Sequence, residues 1–404
     1  MKWKVRKSTL NGTIEIPASK SHTIRAILIA SLADCESIIK KPLLTGDGYS
    51  ALNAAKAIGA KVEEREDGLH IWGVAGKPKL AETCDMGNSG TGLNMFTAAA
   101  ALGNTPIRFD GDDSLRSRPV GSLLSALEKL GAKVEYHGEQ GKPPYTICGP
   151  IHASKVEVAG NNSQYLSSLL LVAPFLDDKI TIKVKDLAEV PYVKMTLWWL
   201  DKMNIKYSAN FEKSEFSITG NQKYSPIDET ITGDFSSATF SAVGRDLTNG
   251  NVDIRNIDFS DPQGDKGVFE IIEKKLSDID LNSMPDALPA LSVWATTAKT
   301  PTRIFNVAQA RIKETDRISC MTKELTKMGA KIEEKEDGMI IYPSKLHGAK
   351  VSGHNDHRIV MALALAGMIA DGETIIDTAE AAAVTYPTFV EDFRKLGANI
   401  EVIE

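Results

Sequence analysis

Ile58-Gly59-Ala60-Lys61-Val62-Glu63 returns along the chain as Leu130-Gly131-Ala132-Lys133-Val134-Glu135, as Met328-Gly329-Ala330-Lys331-Ile332-Glu333 and as Leu396-Gly397-Ala398-Asn399-Ile400-Glu401. Met203-Asn204-Ile205-Lys206-Tyr207 is a worn copy, and a degenerate one lies near Ile271 to Leu276. The Gly or Asn stands at residues 59, 131, 204, 329 and 397, a period of about 70 with one double step. Fixed-period self-similarity is the mark of a chain assembled from structural repeats. Each phrase reads as the end of an amphipathic helix with Gly just past the cap, followed by a strand of alternating β-branched and charged residues.

A second series leads this one. Small or polar residues open Ala-rich, nearly all-apolar stretches at Ser19-Lys20-Ser21, Gly87-Asn88-Ser89-Gly90-Thr91, Asn161-Asn162-Ser163-Gln164, Gly233-Asp234-Phe235-Ser236-Ser237, Pro285-Asp286-Ala287 and Asn355-Asp356-His357-Arg358. Such stretches, for example Ile359 to Ala370, predict helices buried on every side. Each repeat is therefore expected to hold two helices and several short strands, and six repeats divide into two lobes of three. The expected lobes are 1–18 with 232–404, and 19–231, so that the chain crosses twice and leaves a cleft.

The 404 residues are 42% hydrophobic, and 47 basic against 53 acidic residues give a net charge of −6. That balance supplies no global field for nucleic acid or an anionic membrane, so anion binding has to be local. The four cysteines are scattered without CxxC spacing, which suggests neither a zinc site nor a disulfide framework and fits a reducing cytoplasm. Met1 to Leu10 lacks the apolar region of a signal peptide, and no apolar run reaches membrane-spanning length. A soluble, cytoplasmic protein is expected.

The helix openings carry the chemistry. Ser19-Lys20-Ser21-His22-Thr23-Ile24-Arg25 sets a Lys, two hydroxyls and an Arg at a helix start, where the unpaired N–H groups already favour an anion and a Lys opposes the dipole. Gly87 to Gly92 permits close backbone approach by a ligand but is not a Walker A loop; alone it is equally a packing turn. Arg118 precedes Pro119 and a helix expected over Val120 to Leu130, which suits an anion or a surface salt bridge. Arg311-Ile312-Lys313-Glu314-Thr315-Asp316-Arg317 is expected to open another helix, with Lys313 and Arg317 on one face and Glu314 available for proton transfer, or to form an exposed ion-pair face. Arg358 in an apolar helix calls for an anionic partner, while His354, Asp356 and His357 leave a metal site open. Asp286 either caps its helix or accepts a proton from a substrate hydroxyl.

Lys20-Ser21 with Arg25, Gly87 to Thr91, Arg118-Pro119, Ser163-Gln164, Pro285-Asp286-Ala287, Lys313 to Arg317 and Asn355 to Arg358 stand in the order found in the enolpyruvyl transferases. The chain resembles that family over essentially its whole length, and most of all its shikimate-pathway branch. The resemblance implies an α/β fold of two inside-out lobes, each of three βαβαββ-like repeats, with the active site in the cleft between them. It implies transfer of the enolpyruvyl group of phosphoenolpyruvate to the 5-hydroxyl of shikimate 3-phosphate with release of phosphate. No cofactor, metal, nucleic-acid or membrane partner is implied, and a monomer is expected.

Carried over by position, Lys20 would bridge both substrates and Ser21 and Arg25 would hold the acceptor carboxylate. Arg118, Gln164 and the Gly90 backbone would hold the phosphate of phosphoenolpyruvate, and Arg317 and Arg358 its carboxylate. Asp286 would take the hydroxyl proton with Lys313 alongside, Glu314 and Lys20 would move protons at the methylene carbon and leaving phosphate, and Tyr192 would line the acceptor face. Asn162, Ser163 and Gln309 complete the expected binding set. The chain departs from the family at several of these places: Asn162 and Glu189 stand where Ser is common around the acceptor phosphate, Asn94 where Arg is, Gln309 where Asn is, and Val384 where Lys is. An enolpyruvyl transferase acting on another hydroxyl acceptor and an inactive phosphoenolpyruvate-binding paralogue remain the alternatives, with the UDP-N-acetylglucosamine enolpyruvyl transferases a poorer match.

Overall fold

The computed structural model describes residues 1–79 and 83–403. The chain forms two compact units, one discontinuous (Met1–Pro17 with Gly233–Glu404) and one continuous (Ala18–Thr232). Each has its own hydrophobic core.

In the continuous unit, strand Lys155–Ala159 runs parallel to Ile180–Lys185, which pairs antiparallel with Glu215–Ile218, itself antiparallel to Tyr207–Asn210. Register places Val156 opposite Ile182 and Ile182 opposite Phe216. All three are buried, as the period of two requires of a face laid on a core. The same strand order recurs as Thr83–Asp85, Ile107–Asp110, Tyr145–Cys148, Lys133–Tyr136 and as Asp228–Thr230, Glu36–Lys40, Gly68–Trp72, Lys61–Arg65. The discontinuous unit repeats it as Asp278–Asp280, Thr302–Phe305, Gly338–Tyr342, Lys331–Lys335 and as Lys350–Ser352, Thr374–Asp377, Lys2–Arg6, Asn399–Ile403.

The fourth repeat differs from the expected βαβαββ pattern. Among the described residues Asn11–Glu15 pairs only with Asn251–Arg255, in parallel, and no closing hairpin follows. The space for it is missing as well: from Asp234 to Asp286 is 52 residues, against 68 to 74 for the other repeats.

Six central helices lie behind these sheets: α1 (Lys20–Leu32), α2 (Gly90–Ala100), α3 (Ser163–Val172), α4 (Phe235–Leu247), α5 (Leu288–Ala295) and α6 (His357–Ile369). In the continuous unit α2 packs on both α1 and α3, and in the discontinuous unit α4, α5 and α6 pack on one another. Central position explains their composition: α6 is buried from His357 to Met368, so no polar face is needed. The outer helices are amphipathic, and each ends on the repeated phrase. Gly59, Gly131, Gly329 and Gly397 take φ of 91° to 113°, and Asn204 and Lys275 take φ of 55° and 50°, so all six cap positions are left-handed. Gly accepts that backbone without steric cost, which is why the phrase persists in the sequence.

Candidate active site

At the start of α1, Ser19 caps the helix by accepting from the His22 N–H. Lys20 follows, its Nζ 3.2 Å from Asp47 Oδ2, both side chains largely buried. Asp47 did not stand out in the sequence; it sits in the first turn of the outer helix Gly46–Ala57, where an acidic residue is ordinary. Arg25 is 2% exposed and donates from Nε to Thr196 Oγ1 (2.9 Å), from Nη1 to the Ser21 carbonyl (2.9 Å) and from Nη2 to the Tyr192 carbonyl (3.2 Å). Burial lowers its pKa to about 10, so it stays charged at neutral pH. Among the described residues no carboxylate pairs with it, which leaves a buried positive charge beside Ser21 and Tyr192 suited to an incoming anion.

A second group forms around the start of α2. A Cβ on Gly90 would lie 3.1 Å from Arg118 Nη1, a tight approach, and 3.9 Å from Gln164 Oε1, an ordinary contact, so glycine eases the close approach of Arg118 to the helix start. Arg118 Nη2 donates to Asn88 Oδ1 and to Ser114 Oγ, and among the described residues its Nε has no partner. Gln164 donates from Nε2 to Thr91 Oγ1 (2.9 Å) and accepts from Asn94 Nδ2 (2.8 Å). Arg118 is not at the opening of the helix expected over Val120 to Leu130. It caps the C-terminus of a short helix, Asp113–Ser117, and the next helix is Gly121–Lys129. Pro119 disfavours helical backbone at Arg118, which is extended (φ −81°, ψ 137°).

Asn162 caps α3 by accepting from the Gln164 N–H (3.0 Å). Ser163 donates both its N–H (3.2 Å) and its hydroxyl (2.7 Å) to Glu189 Oε2.

In the discontinuous unit the start of α6 organises a buried ion cluster. Asp356 caps α6 by accepting from the Arg358 N–H (2.9 Å) and also receives Arg317 Nε (2.8 Å) and Thr315 Oγ1 (3.1 Å). Arg317, 1% exposed, donates from Nη1 to Asp286 Oδ1 (2.7 Å) and from Nη2 to Glu314 Oε2 (2.6 Å) and Asp356 Oδ1 (3.3 Å). Arg358 Nη2 lies 2.9 Å from the other oxygen of Asp286. Burial pushes the Asp286 carboxyl up, but Arg358, Arg317 and Lys313 more than offset it and hold Asp286 well below the usual carboxylate range. Asp265, 1% exposed, is pushed up to about 7 by burial and by the neighbouring Asp286 charge, with Arg358 opposing. Nothing in the pattern around Asp265 marked it out.

The expected helix through Lys313 and Glu314 is absent. A 3-10 turn covers Ala308–Ile312, and the helix begins at Arg317, capped by Asp316 accepting from the Ser319 N–H (3.0 Å). Lys313 and Glu314 thus reach the cluster from a turn, and Arg311 is held by Asp316 and Glu334. Gln309 donates to the Asn282 carbonyl (3.2 Å). His354 turns to Glu324 (2.9 Å), while His357 stays near Asp356 (4.0 Å). Among the described residues no group of three or more His, Cys, Asp or Glu is placed to hold a metal ion.

The helix openings of these repeat-built α/β units carry buried arginines with half-buried Lys20 and Lys313 nearby, an arrangement suited to small anionic molecules. A family model described as EPSP synthase (3-phosphoshikimate 1-carboxyvinyltransferase) matches residues 5–276 and 267–393. The chain is 45% identical over 421 residues to a 3-phosphoshikimate 1-carboxyvinyltransferase of Acetivibrio thermocellus, covering 99% of both chains. It is 46% identical over 420 residues to the one of Ruminiclostridium cellulolyticum, again covering 99% of both. In fold it is similar to an EPSP synthase from Acinetobacter baumannii, with a TM-score of 0.84 over 100% of both chains at 24% identity. The chain belongs to the EPSP synthase family. No described helix is long and apolar enough to cross a membrane.

Proposed function

We propose that the protein is a 3-phosphoshikimate 1-carboxyvinyltransferase: it transfers the enolpyruvyl group of phosphoenolpyruvate to the 5-hydroxyl of shikimate 3-phosphate and releases phosphate. The observation that carries this reading is 45% and 46% identity, over 99% of both chains, to two relatives of that name. The arrangement of charge supports it, because two substrates that together bear two phosphates and two carboxylates need several fixed cations.

In the first step the 5-hydroxyl oxygen adds to C2 of phosphoenolpyruvate, the hydroxyl loses its proton and the methylene carbon gains one. In the second, the C2–O bond to phosphate breaks and the new methyl group gives a proton back. Asp286 accepts the hydroxyl proton, with Lys313 beside it. Its depressed pKa makes it a weak base while Arg317 and Arg358 face it alone. A substrate carboxylate shared with those two arginines would draw their charge away and raise its basicity as the reactants assemble. Glu314 and Lys20 serve the methylene carbon and the leaving phosphate. Arg118, Gln164 and the Gly90 backbone hold the phosphoenolpyruvate phosphate. Ser21 and the charge-uncompensated Arg25 hold the acceptor carboxylate, while Tyr192, Asn162, Ser163 and Gln309 border the acceptor.

The protein works as a cytoplasmic monomer on small molecules, in keeping with a net charge of −6 and four cysteines scattered without CxxC spacing. A coupled assay of phosphate release tests the activity. Turnover is expected only when both phosphoenolpyruvate and shikimate 3-phosphate are present, and its absence under saturating substrates would refute the assignment.

A further inference from the structure

The three central helices of the continuous unit open on neutral caps, Ser19, Ser89 and Asn162, which leaves the positive end of each dipole for an outside anion. At α3 the chain itself places an anion on the donors of the helix start. Glu189 Oε2 accepts from the Ser163 N–H at 3.2 Å and from the Ser163 hydroxyl at 2.7 Å, the two donors that the helix start would otherwise offer a ligand. Glu189 is 1% exposed, and its backbone takes the left-handed conformation (φ 53°) at the entry to the outer helix Val190–Lys202, so the carboxylate is placed there by the fold. Two anions cannot share one pair of donors without repulsion in a site so withdrawn from water.

Resting on the function proposed above, we infer that Glu189 is a specificity-determining residue: an internal anion that fills the α3 helix start in the free protein and competes with the phosphate of the acceptor. The acceptor phosphate binds as Glu189 gives way, and Glu189 sets how tightly it is held.

The full-length protein and its Glu189→Gln and Glu189→Ser variants, checked for unchanged thermal unfolding, would be titrated calorimetrically with shikimate 3-phosphate and with unphosphorylated shikimate, without phosphoenolpyruvate. Glu189→Gln keeps an acceptor for Ser163 and removes only the charge. We expect both variants to bind shikimate 3-phosphate about tenfold more tightly than wild type, to bind shikimate unchanged, and to keep the KM for phosphoenolpyruvate within about twofold. Unchanged or weakened binding of shikimate 3-phosphate, or an equal gain for shikimate, overturns the inference. Wild-type turnover is read separately by phosphate release. A wild type that neither binds nor turns over shikimate 3-phosphate, beside a variant that binds it, would refute the proposed activity and support the role of Glu189; a variant that also fails to bind would overturn both.

Discussion

Replacing Arg317 by Ala should cost the discontinuous unit about 3–4 kcal/mol at neutral pH, in the lower part of the range for breaking a buried ion pair. The figure follows from what the guanidinium leaves behind. Arg317 is 1% exposed, so solvent screening does not reduce its interactions, and it reaches three carboxylates at 2.6 to 2.8 Å. Those three are not equally dependent on it. Glu314 is 17% exposed and can turn toward water. Asp286 keeps Arg358 at 2.9 Å. Asp356, wholly buried, keeps the Arg358 N–H and the Thr315 hydroxyl but loses its only close guanidinium among the described residues, so most of the cost falls there.

The unit that holds Arg317 has about 190 residues, for which 1 kcal/mol moves the Tm by roughly 2–4 °C, so a fall of about 6–16 °C is expected by circular dichroism or calorimetry. The pH dependence gives an independent check. In the wild type, Asp286 and Asp356 have folded pKa values below their unfolded ones, so their contribution is present above the unfolded values and is lost as pH falls through the folded ones. In Arg317→Ala the Asp356 pKa rises, and the variant loses stability as pH rises through it. The gap between the two proteins should therefore be smaller at pH 5 than at pH 7.5. Arg317→Lys should recover less than half, because a single ammonium cannot span three acceptors. A Tm fall below 2 °C at pH 7.5, or a gap that widens on acidification, would refute the reasoning.

Asp286→Asn removes the proposed base while leaving a hydrogen-bonding group for Arg317 and Arg358, and kcat for phosphate release should drop by about 10²–10⁴ with substrate KM values changed much less. Gly90→Ala puts a methyl group 3.1 Å from Arg118 Nη1; displacement of that guanidinium should raise the KM for phosphoenolpyruvate about tenfold while the acceptor KM holds, as steady-state kinetics will show. Asp265 has a folded pKa of about 7, above its unfolded value, so its protonated form is favoured on folding and its contribution is lost as pH rises from about 4 to 7. Asp265→Asn should accordingly flatten the Tm-versus-pH curve over that window and raise the Tm at pH 8; a slope unchanged from wild type would count against the raised pKa.

The repeats were legible because a helix that must end in left-handed backbone records the requirement as Gly. Gly59, Gly131, Gly329 and Gly397 carry it openly and Asn204 tolerably, whereas Lys275 meets the same demand (φ 50°) with no compositional sign, which is why the fourth copy looked degenerate. The missing hairpin of that repeat showed only as a short step. The expected helix through Lys313 failed for a related reason: charge spacing suits a helix face, but Asp316 is the stronger start signal and places the first turn at Arg317.

The site was legible where a residue's role is set by its own helix, and illegible where it is set by a partner far along the chain. Caps and cations at helix openings belong to the first kind. The second kind includes Thr196 beneath Arg25 and Asp47 beside Lys20. Each of these residues reads in sequence as an ordinary turn, cap or helix residue. Yet they decide which cations keep charge to spare. Among the described residues Arg25 meets only neutral oxygens and remains electrostatically open, while Arg317, with the same guanidinium and similar burial, is committed to three carboxylates. The two arginines are therefore not equivalent anion receptors, although the pattern of helix openings treats them alike. An anion reaching Arg25 gains an unshared charge. One reaching Arg317 gains only what it can draw from Asp286, Glu314 and Asp356, and under the proposed function that competition would couple substrate arrival there to the basicity of Asp286.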